Sequence, residues 1–300
     1  MNYLILLFTL FFFTACTQEQ HEKKELTKTL KDKTIKIISV QALEQLFNDL
    51  NYTSASWHAG LREVPRIYFE KVGTDWKKTS NSIPVKKKKN IFFRLLAPLV
   101  LISNEEIMKE RETLFKQDIT SVSILTLAKK YRVVTKETKK VTPKELLELK
   151  KRIDIIPLSL ALAQGAEESG WGTSRFASEG NALFGLWDYS GKGMAPAQQR
   201  KELGDYGLAR YDTPLASVRG YMFNINIGHA YEKLRNMRQE LRKEDKKITG
   251  WELAKTLDKY SERGQVYIDG LHNMMRYNKL SQADDAYLSK GPKIHLVKAN

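Results

Sequence analysis

Two adjacent glutamates, Glu167 and Glu168, end an apolar helix predicted over residues 153–169, and Ser-Gly-Trp-Gly follows them directly. A carboxylate at the C-terminal end of a helix meets the negative end of the helix dipole, and partial burial also disfavours its charge. Both effects raise the pKa of a carboxyl group, which suits a general acid near neutral pH. Successive helical residues point about 100° apart, so only one of the two acids can face a given cleft. Two solvated acids at a helix end remain the alternative from these residues alone.

Trp171 lies between Gly170 and Gly172, directly after the two acids. Glycines allow a backbone to approach a ligand closely, because they carry no Cβ atom. The indole offers a flat apolar face of the kind that packs against a sugar ring. The segment therefore predicts a general acid beside a sugar-binding aromatic residue.

Most of the chain shows the apolar periodicity of helices. The predicted helical segments are residues 39–50, 91–101, 103 onward, 120–131, 142 onward, 153–169 and 214 onward. Pro98 is expected to interrupt the second segment, and Ser103 with Glu106 has the capping-box spacing that would begin the third. Glycines then interrupt the pattern, and a small β-hairpin is expected near residues 185–211. The predicted fold class is mainly α, with this hairpin as a small β excursion.

The composition favours an anionic partner. The chain has a formal net charge of +15 and contains 42% hydrophobic residues, so it can bury a real core. One run, Lys86–Lys89, is interpreted as a solvated face, with contact to an anionic wall or lipid as the alternative. A single cysteine excludes an internal disulfide, and neither metal-ligand spacing nor a phosphate-binding glycine loop is present. We therefore expect no cofactor and no metal.

The N-terminus has the features of an export signal. An apolar run from Tyr3 to Phe13 is too short to span a bilayer comfortably but matches the core of a signal peptide, although no Lys or Arg precedes it. Phe13-Thr14-Ala15-Cys16 resembles a bacterial lipobox, in which Cys16 would be lipidated. The expectation is a signal peptide over residues 1–15 and a lipidated tether over 16–38, with a plain secretory signal as the alternative. Thr17 favours the outer membrane, facing the periplasm, and nucleic acid is excluded as a partner.

Three stretches carry a resemblance to a known family. They are AQGAEESGWGTSRFASEGNALFGLW (163–187), LARYDTPLASVRGYMFNI (208–225) and YSERGQVYIDGLHNMMRYNKL (260–280). The first half matches too, through residues 64–72 and 90–114, so that the resemblance covers roughly residues 40–285. On these residues the chain resembles the glucosaminidases of glycoside hydrolase family 73, and most closely their Bax-like branch. The resemblance implies a lysozyme-like catalytic domain over residues 141–285 that cleaves peptidoglycan. A helical N-terminal region (39–140) would precede it, and a C-terminal tail (286–300) would follow.

The resemblance also implies catalytic roles. Glu168 matches the family's catalytic acid, whereas Glu167 receives no role. Tyr260 is expected to position the 2-acetamido group of the sugar. A second carboxylate is not evident; Glu202 is the first candidate, ahead of Asp205 and then Glu262. The alternative, which we favour, is substrate assistance, in which the N-acetyl oxygen replaces the second acid.

Four further residues are expected to bind substrate: Trp171, Asn181, Trp187 and Tyr211. Packing in the core is the alternative for each aromatic residue, and for Asn181 we favour anchoring of its own loop by hydrogen bonds over contact with sugar. Phe184, in the same Asn-Ala-Leu-Phe-Gly segment, is expected to pack in the core.

Two rival functions and one further partner remain open. A lytic transglycosylase or muramidase would use the same fold and the same glutamate on a different bond. A wall-binding lipoprotein without catalysis would use the basic first half of the chain. Beside peptidoglycan and the lipid anchor, an unidentified activator protein is a further candidate partner.

Overall fold

The computed structural model describes residues 31–196 and 206–298, and helices dominate it. The helices are α1 (Val40–Asp49), α2 (Ser54–His58), α3 (Trp76–Asn81), α4 (Val85–Lys116), α5 (Val122–Lys130), α6 (Pro143–Arg152), α7 (Leu158–Ser169), α8 (Arg175–Gly180), α9 (Pro214–Ile227), α10 (Glu232–Lys243), α11 (Gly250–Ala254) and α12 (Gln265–Tyr277). Short 3-10 helices span His229–Tyr231 and Leu280–Asp285. The strands are β1 (Lys33–Ile37), β2 (Glu63–Val64), β3 (Ile67–Phe69), β4 (Trp187–Asp188), β5 (Gly207–Leu208), β6 (Tyr287–Leu288) and β7 (Ile294–Lys298). The predicted mainly α class is confirmed.

A three-stranded parallel sheet joins the two ends of the described chain. Its order is β1-β7-β3, and Ile294 of β7 is in register with both Lys33 and Ile67. The prediction of a tether up to residue 38 is therefore wrong for the strand Lys33–Ile37. The predicted C-terminal tail (286–300) contains two paired strands, β6 and β7, and so packs on the rest of the protein. Alternate apolar residues of β7 are buried, a period-2 pattern that the many lysines of both segments obscured.

Helix α4 is one continuous element, which corrects two predictions. It passes through Pro98 without interruption, and Ser103 lies in its interior rather than at its start. Leu96, Leu99 and Val100 around the proline are buried against neighbouring helices. Apolar packing on both sides of Pro98 thus holds the helix where local propensity favours a break.

Helix α7 lies at the centre of the molecule and carries the two acids at its C-terminal end. Ten of its twelve residues are buried, and it packs against α4, α11 and α12. It begins after Pro157, later than the predicted residue 153, and ends at Gly170 in the left-handed conformation. A Cβ atom at Gly165 would lie 2.6 Å from Leu96 Cδ2, so this glycine sets the close approach of α7 to α4.

The remaining local predictions agree with the structure. Thr142 and Glu145 form a reciprocal capping box at the start of α6, and β4 pairs antiparallel with β5 as the expected hairpin. The buried apolar residues form one cluster that extends across residue 140, so α4 shares its core with the later helices. Within residues 31–196 and 206–298, no helix combines the length and apolar character needed to cross a bilayer.

Candidate active site

Glu168 is the penultimate residue of α7, and its side chain is partly buried. Burial raises the pKa of its carboxyl group above the ordinary range, and the neighbouring charge of Glu167 raises it further. A hydrogen bond from Tyr267 and the positive charge of Arg263 act in the opposite direction. Burial has the largest effect, so the protonated form of Glu168 is favoured at a higher pH than for a solvated glutamate.

A chain of buried hydrogen bonds leads to Glu168. The Tyr221 hydroxyl donates to Gln164 Oε1 at 2.7 Å, and Gln164 Nε2 donates to the Tyr267 hydroxyl oxygen at 3.1 Å. The Tyr267 hydroxyl then donates to Glu168 Oε1 at 3.0 Å. An amide nitrogen can only donate, so Gln164 fixes the direction of the chain and turns the Tyr267 proton towards Glu168.

The two carboxyl oxygens of Glu168 therefore differ. Oε1 accepts the hydrogen bond from Tyr267. Oε2 faces Gly185, and a Cβ atom added to Gly185 would lie 3.4 Å from Oε2. Gly185 has a φ of 56°, a conformation that favours glycine, and so it brings the Asn-Ala-Leu-Phe-Gly loop close to the acid. When the carboxyl group is protonated, this arrangement places the acidic proton on Oε2.

Aromatic rings surround the acid. Tyr260 stacks on Tyr267 with ring centroids 5.2 Å apart, and Tyr231 lies 5.8 Å from Tyr260. Within the described ranges, the Tyr260 hydroxyl makes no hydrogen bond, whereas the Tyr231 hydroxyl accepts one from Asn224 at 3.3 Å. The structure thus brings the predicted Tyr260 beside the catalytic candidate, with its hydroxyl unpaired in the described ranges.

Glu167 points elsewhere, as expected for the next residue on a helix. Its carboxylate forms an ion pair with Arg263 at 2.9 Å, and both side chains are exposed. The Arg263 guanidinium also lies 5.2 Å from the centre of the Tyr267 ring. Glu167 is therefore paired with Arg263 at the protein surface, whereas Glu168 is partly buried.

Trp171 packs against α4 rather than extending as a free platform. Its ring lies 5.1 Å from Phe93 and 5.7 Å from Phe92, and the Lys89 ammonium lies 4.8 Å from its centre. Its carbonyl accepts a hydrogen bond from Trp76 Nε1 at 2.9 Å. These contacts support the core-packing alternative for Trp171 and do not place its ring against Glu168.

Asn181 anchors the loop that precedes Gly185. Its amide nitrogen donates to the carbonyls of Tyr211 and Asp212, and its amide oxygen accepts from the Val72 N–H at 3.0 Å. The side chain is 7% exposed and the residue adopts a φ of 52°. Both ends of the amide thus have protein partners, which supports the favoured loop-anchoring interpretation; the substrate contact stays a prediction.

The other predicted binding residues lie near the hairpin. The Tyr211 ring is half-buried against Gly220 of α9, where an added Cβ would lie 3.0 Å from the ring. Trp187 in β4 is 53% exposed and makes an edge contact with Tyr206 at 5.1 Å. Phe184 is buried and stacks on Tyr221 with centroids 3.9 Å apart, so its expected core role is confirmed.

Several predicted positions fall outside the described residues. These are Glu202 and Asp205, and also Cys16 with the predicted signal peptide. Within the described ranges, no group of three His, Cys, Asp or Glu side chains converges as a metal site would require.

Sequence reasoning missed three residues of the hydrogen-bond chain: Gln164, Tyr221 and Tyr267. One signal was available for Gln164, a polar residue in an otherwise apolar helix, four positions before Glu168 and hence on the same face. The tyrosines come from distant helices, α9 and α12, and carry no local signal of this contact.

The mainly α fold, with a partly buried glutamate at the end of its central helix, is consistent with a lysozyme-like glucosaminidase domain. Residues 144–280 match the Glucosaminidase family model, described as mannosyl-glycoprotein endo-beta-N-acetylglucosaminidase. The chain is also 31% identical over 201 residues to Protein bax of Escherichia coli (strain K12), covering 64% of this chain and 70% of that protein. The protein belongs to the Bax-like glucosaminidase family. No solved structure matches it.

Proposed function

We propose that the protein is a peptidoglycan hydrolase that cleaves the β-1,4 bond on the reducing side of GlcNAc, with Glu168 as general acid and base. One observation carries this proposal: the carboxyl group of Glu168 is partly buried, with Oε1 held by Tyr267 and Oε2 left towards the Gly185 loop. A carboxyl group with a raised pKa is suited to protonate a leaving oxygen near neutral pH.

In the first step, Oε2 of Glu168 donates its proton to the glycosidic oxygen as the bond from that oxygen to the anomeric carbon breaks. The N-acetyl oxygen of the same GlcNAc attacks the anomeric carbon and forms a cyclic oxazolinium intermediate. In the second step, the Glu168 carboxylate takes a proton from water, and the resulting hydroxide equivalent opens the ring. The acid is thereby restored, and the product carries a reducing GlcNAc end.

Substrate assistance is favoured by the surroundings of Glu168. Its neighbour Glu167 is paired with Arg263 at 2.9 Å, so it is poorly placed to act as a second carboxylate. The Tyr260 hydroxyl has no hydrogen-bond partner in the part of the chain that the structure describes, so it can bind the acetamido group. Substrate-assisted glycosidases are an established exception to the two-carboxylate rule.

We further propose that the protein is a lipoprotein of the bacterial envelope, anchored through Cys16 to the outer membrane on its periplasmic side. The lipobox-like residues before Cys16 and the short apolar run support the anchor. The formal net charge of +15 suits an anionic wall polymer. An activator protein is a further proposed partner, because an enzyme that cuts the wall must stay inactive until its activity is needed.

The test is a digest of purified peptidoglycan by the full chain in mild detergent, with products read by mass spectrometry. Removing a general acid costs about 10²- to 10⁴-fold in rate, so Glu168→Gln should release almost no product. Glu167→Gln is the matched control, because it changes the adjacent exposed acid and should keep most of the activity. Reducing GlcNAc ends would support the proposal, whereas anhydro-MurNAc ends would reassign the enzyme as a lytic transglycosylase. Wall binding without any products would favour a binding protein.

A further inference from the structure

A cavity of about 520 Å³ opens beside α7. It is bordered by α2, the first turns of α4 and the 3-10 helix Leu280–Asp285, and Leu162 of α7 lines it. Glu168 lies six residues beyond Leu162, which is about 9 Å further along the helix and roughly 120° around it. The cavity is therefore separate from the candidate active site, and its volume falls within the range of small-ligand sites.

The lining of this cavity is cationic. The described lining residues include Lys86, Lys89, Arg94 and Lys279, and none of the described lining residues is an aspartate or a glutamate. The run Lys86–Lys89 was interpreted as a solvated face, but two of its four members line the cavity. An arrangement of cations without acids attracts an anionic ligand.

Arg94 has unused hydrogen-bonding capacity. Its guanidinium donates to Ser54 Oγ at 2.8 Å and lies 5.7 Å from the centre of the Phe47 ring. Within the described ranges it forms no ion pair, because the nearby Glu44 is paired with Lys87 at 2.9 Å. A guanidinium has five N–H donors, which can bind a carboxylate. Burial lowers the pKa of the Arg94 guanidinium, and a carboxylate ligand would supply the negative charge that no protein group provides as an ion-pair partner in the described ranges.

Lys89 is held between two aromatic rings. Its ammonium lies 4.8 Å from the centre of the Trp171 ring and 4.7 Å from that of Tyr277, and Asn278 Oδ1 is 3.5 Å away. No carboxylate pairs with it in the described part of the chain. The cavity thus combines cations with aromatic and aliphatic walls, which fits an extended ligand with both carboxylates and apolar groups better than a compact phosphate.

We propose that this cavity binds the carboxylate-bearing stem peptide of peptidoglycan, with Arg94 and Lys89 holding its carboxylates. The inference rests on the proposed function for its source of peptide, because a glycan strand of the wall carries such peptides along its length. Binding a stem peptide here would select strands that still carry peptides and would hold them while Glu168 acts elsewhere on α7.

The test is calorimetric binding of the free stem tetrapeptide, released from peptidoglycan by an amidase, to the full chain. The same peptide with its carboxylates converted to carboxamides is the control ligand, and it should bind at least tenfold more weakly. Because the free peptide has no glycosidic bond, the result does not depend on whether the protein cleaves glycan. No binding of the free peptide, or equal binding of both peptides, would overturn the inference.

The variants locate the binding to the cavity. Arg94→Gln should weaken binding of the free peptide at least tenfold, and Lys89→Gln, at a more peripheral side chain, at least threefold. Lys116→Gln is the matched control on the same helix, since Lys116 is exposed and paired with Glu112 outside the cavity, and its affinity should be unchanged. Unchanged affinity in both cavity variants would overturn the inference. Tighter, Arg94-dependent binding of glycerol phosphate would assign the cavity to a phosphate headgroup instead.

Discussion

The Tyr267 hydroxyl donates a 3.0 Å hydrogen bond to Oε1 of Glu168, across 99 residues of sequence. The bond gives the two carboxyl oxygens different tasks, since one is held by the protein and the other is left for the substrate. It also stabilises the ionised form of Glu168, because a donor favours a carboxylate over a carboxylic acid. Tyr267 thus offsets part of the effect of burial and tunes the pH range in which Glu168 holds its proton.

Removing that donor should move the pH dependence of cleavage. The hydrogen bond lowers the pKa of Glu168, so Tyr267→Phe raises it. Glu168 acts as an acid only when protonated, and activity is lost as pH rises through its pKa. We therefore expect the alkaline limb of the kcat profile to shift to higher pH in Tyr267→Phe.

The same variant leaves the buried Gln164 Nε2 without its acceptor, which should cost about 1–3 kcal/mol of unfolding free energy. Urea unfolding measures this cost, and Tyr287→Phe, at an exposed tyrosine of β6, is the control for both assays. An unmoved alkaline limb in Tyr267→Phe would show that the hydrogen bond does not tune the acid.

Tyr260→Phe should separate substrate positioning from acid tuning. The hydroxyl of Tyr260 has no hydrogen-bond partner in the described ranges, so its removal should change the unfolding free energy by less than about 0.5 kcal/mol. If the hydroxyl holds the acetamido group in the transition state, kcat should fall by about 10²- to 10³-fold. The alkaline limb of the pH profile of kcat should not shift. Steady-state kinetics on glycan strands at several pH values checks this, and unchanged kcat would remove Tyr260 from the mechanism.

Glu168→Gln should stabilise the protein at neutral pH. The folded-state pKa of Glu168 lies above its unfolded value, so the contribution of this group to stability is complete below the unfolded pKa. That contribution is lost as pH rises through the window between the unfolded and the folded pKa. A neutral glutamine does not suffer this loss, so the Tm of Glu168→Gln should exceed that of the wild type at pH 7. The difference should vanish near pH 4. Glu167→Gln should give only a small part of this gain, because the charge of Glu167 is a secondary cause of the raised pKa of Glu168. An equal gain for Glu168→Gln at both pH values would contradict the account.

Asn181→Ala should destabilise the loop beside Gly185 without weakening substrate binding. It removes the acceptor of the Val72 N–H, and it places alanine at a φ of 52°, a left-handed conformation that asparagine tolerates better than alanine does. We expect a loss of roughly 2–4 kcal/mol in unfolding free energy, with little change in KM. Asn181→Gly relieves the backbone strain but not the lost hydrogen bonds, so it should recover part of the loss. A large rise in KM with unchanged stability would contradict this account and favour a contact between Asn181 and the sugar.

Much of the site was predictable because its signals are local. Glu168 lies at the end of an apolar helix and precedes a glycine-flanked tryptophan. Thr142 and Glu145 indicate the start of a helix within four residues. The hairpin near residues 185–211 follows in the same way from glycine clustering. Each of these predictions depends on neighbours within one or two turns of chain.

The rest depends on contacts between distant residues. Gln164 meets Tyr267 across 103 residues, and nothing near either residue indicates the pair. The strand Lys33–Ile37 pairs with a segment more than 250 residues away, so its lysines looked like those of a solvated linker. Pro98 misled for the opposite reason, since the tertiary packing of α4 outweighs the local preference of proline to break a helix.

The position of β7 between β1 and β3 has a consequence for how the chain is made. Among the strands described, β7 is the partner of both, and it is the last of them to be synthesised. The first strand therefore emerges with its pairing edge uncovered and stays so until more than 250 further residues have followed. Such long-range pairing is slow to form, so the sheet can close only once β7 is present, after all the described helices between β1 and β7 have been made.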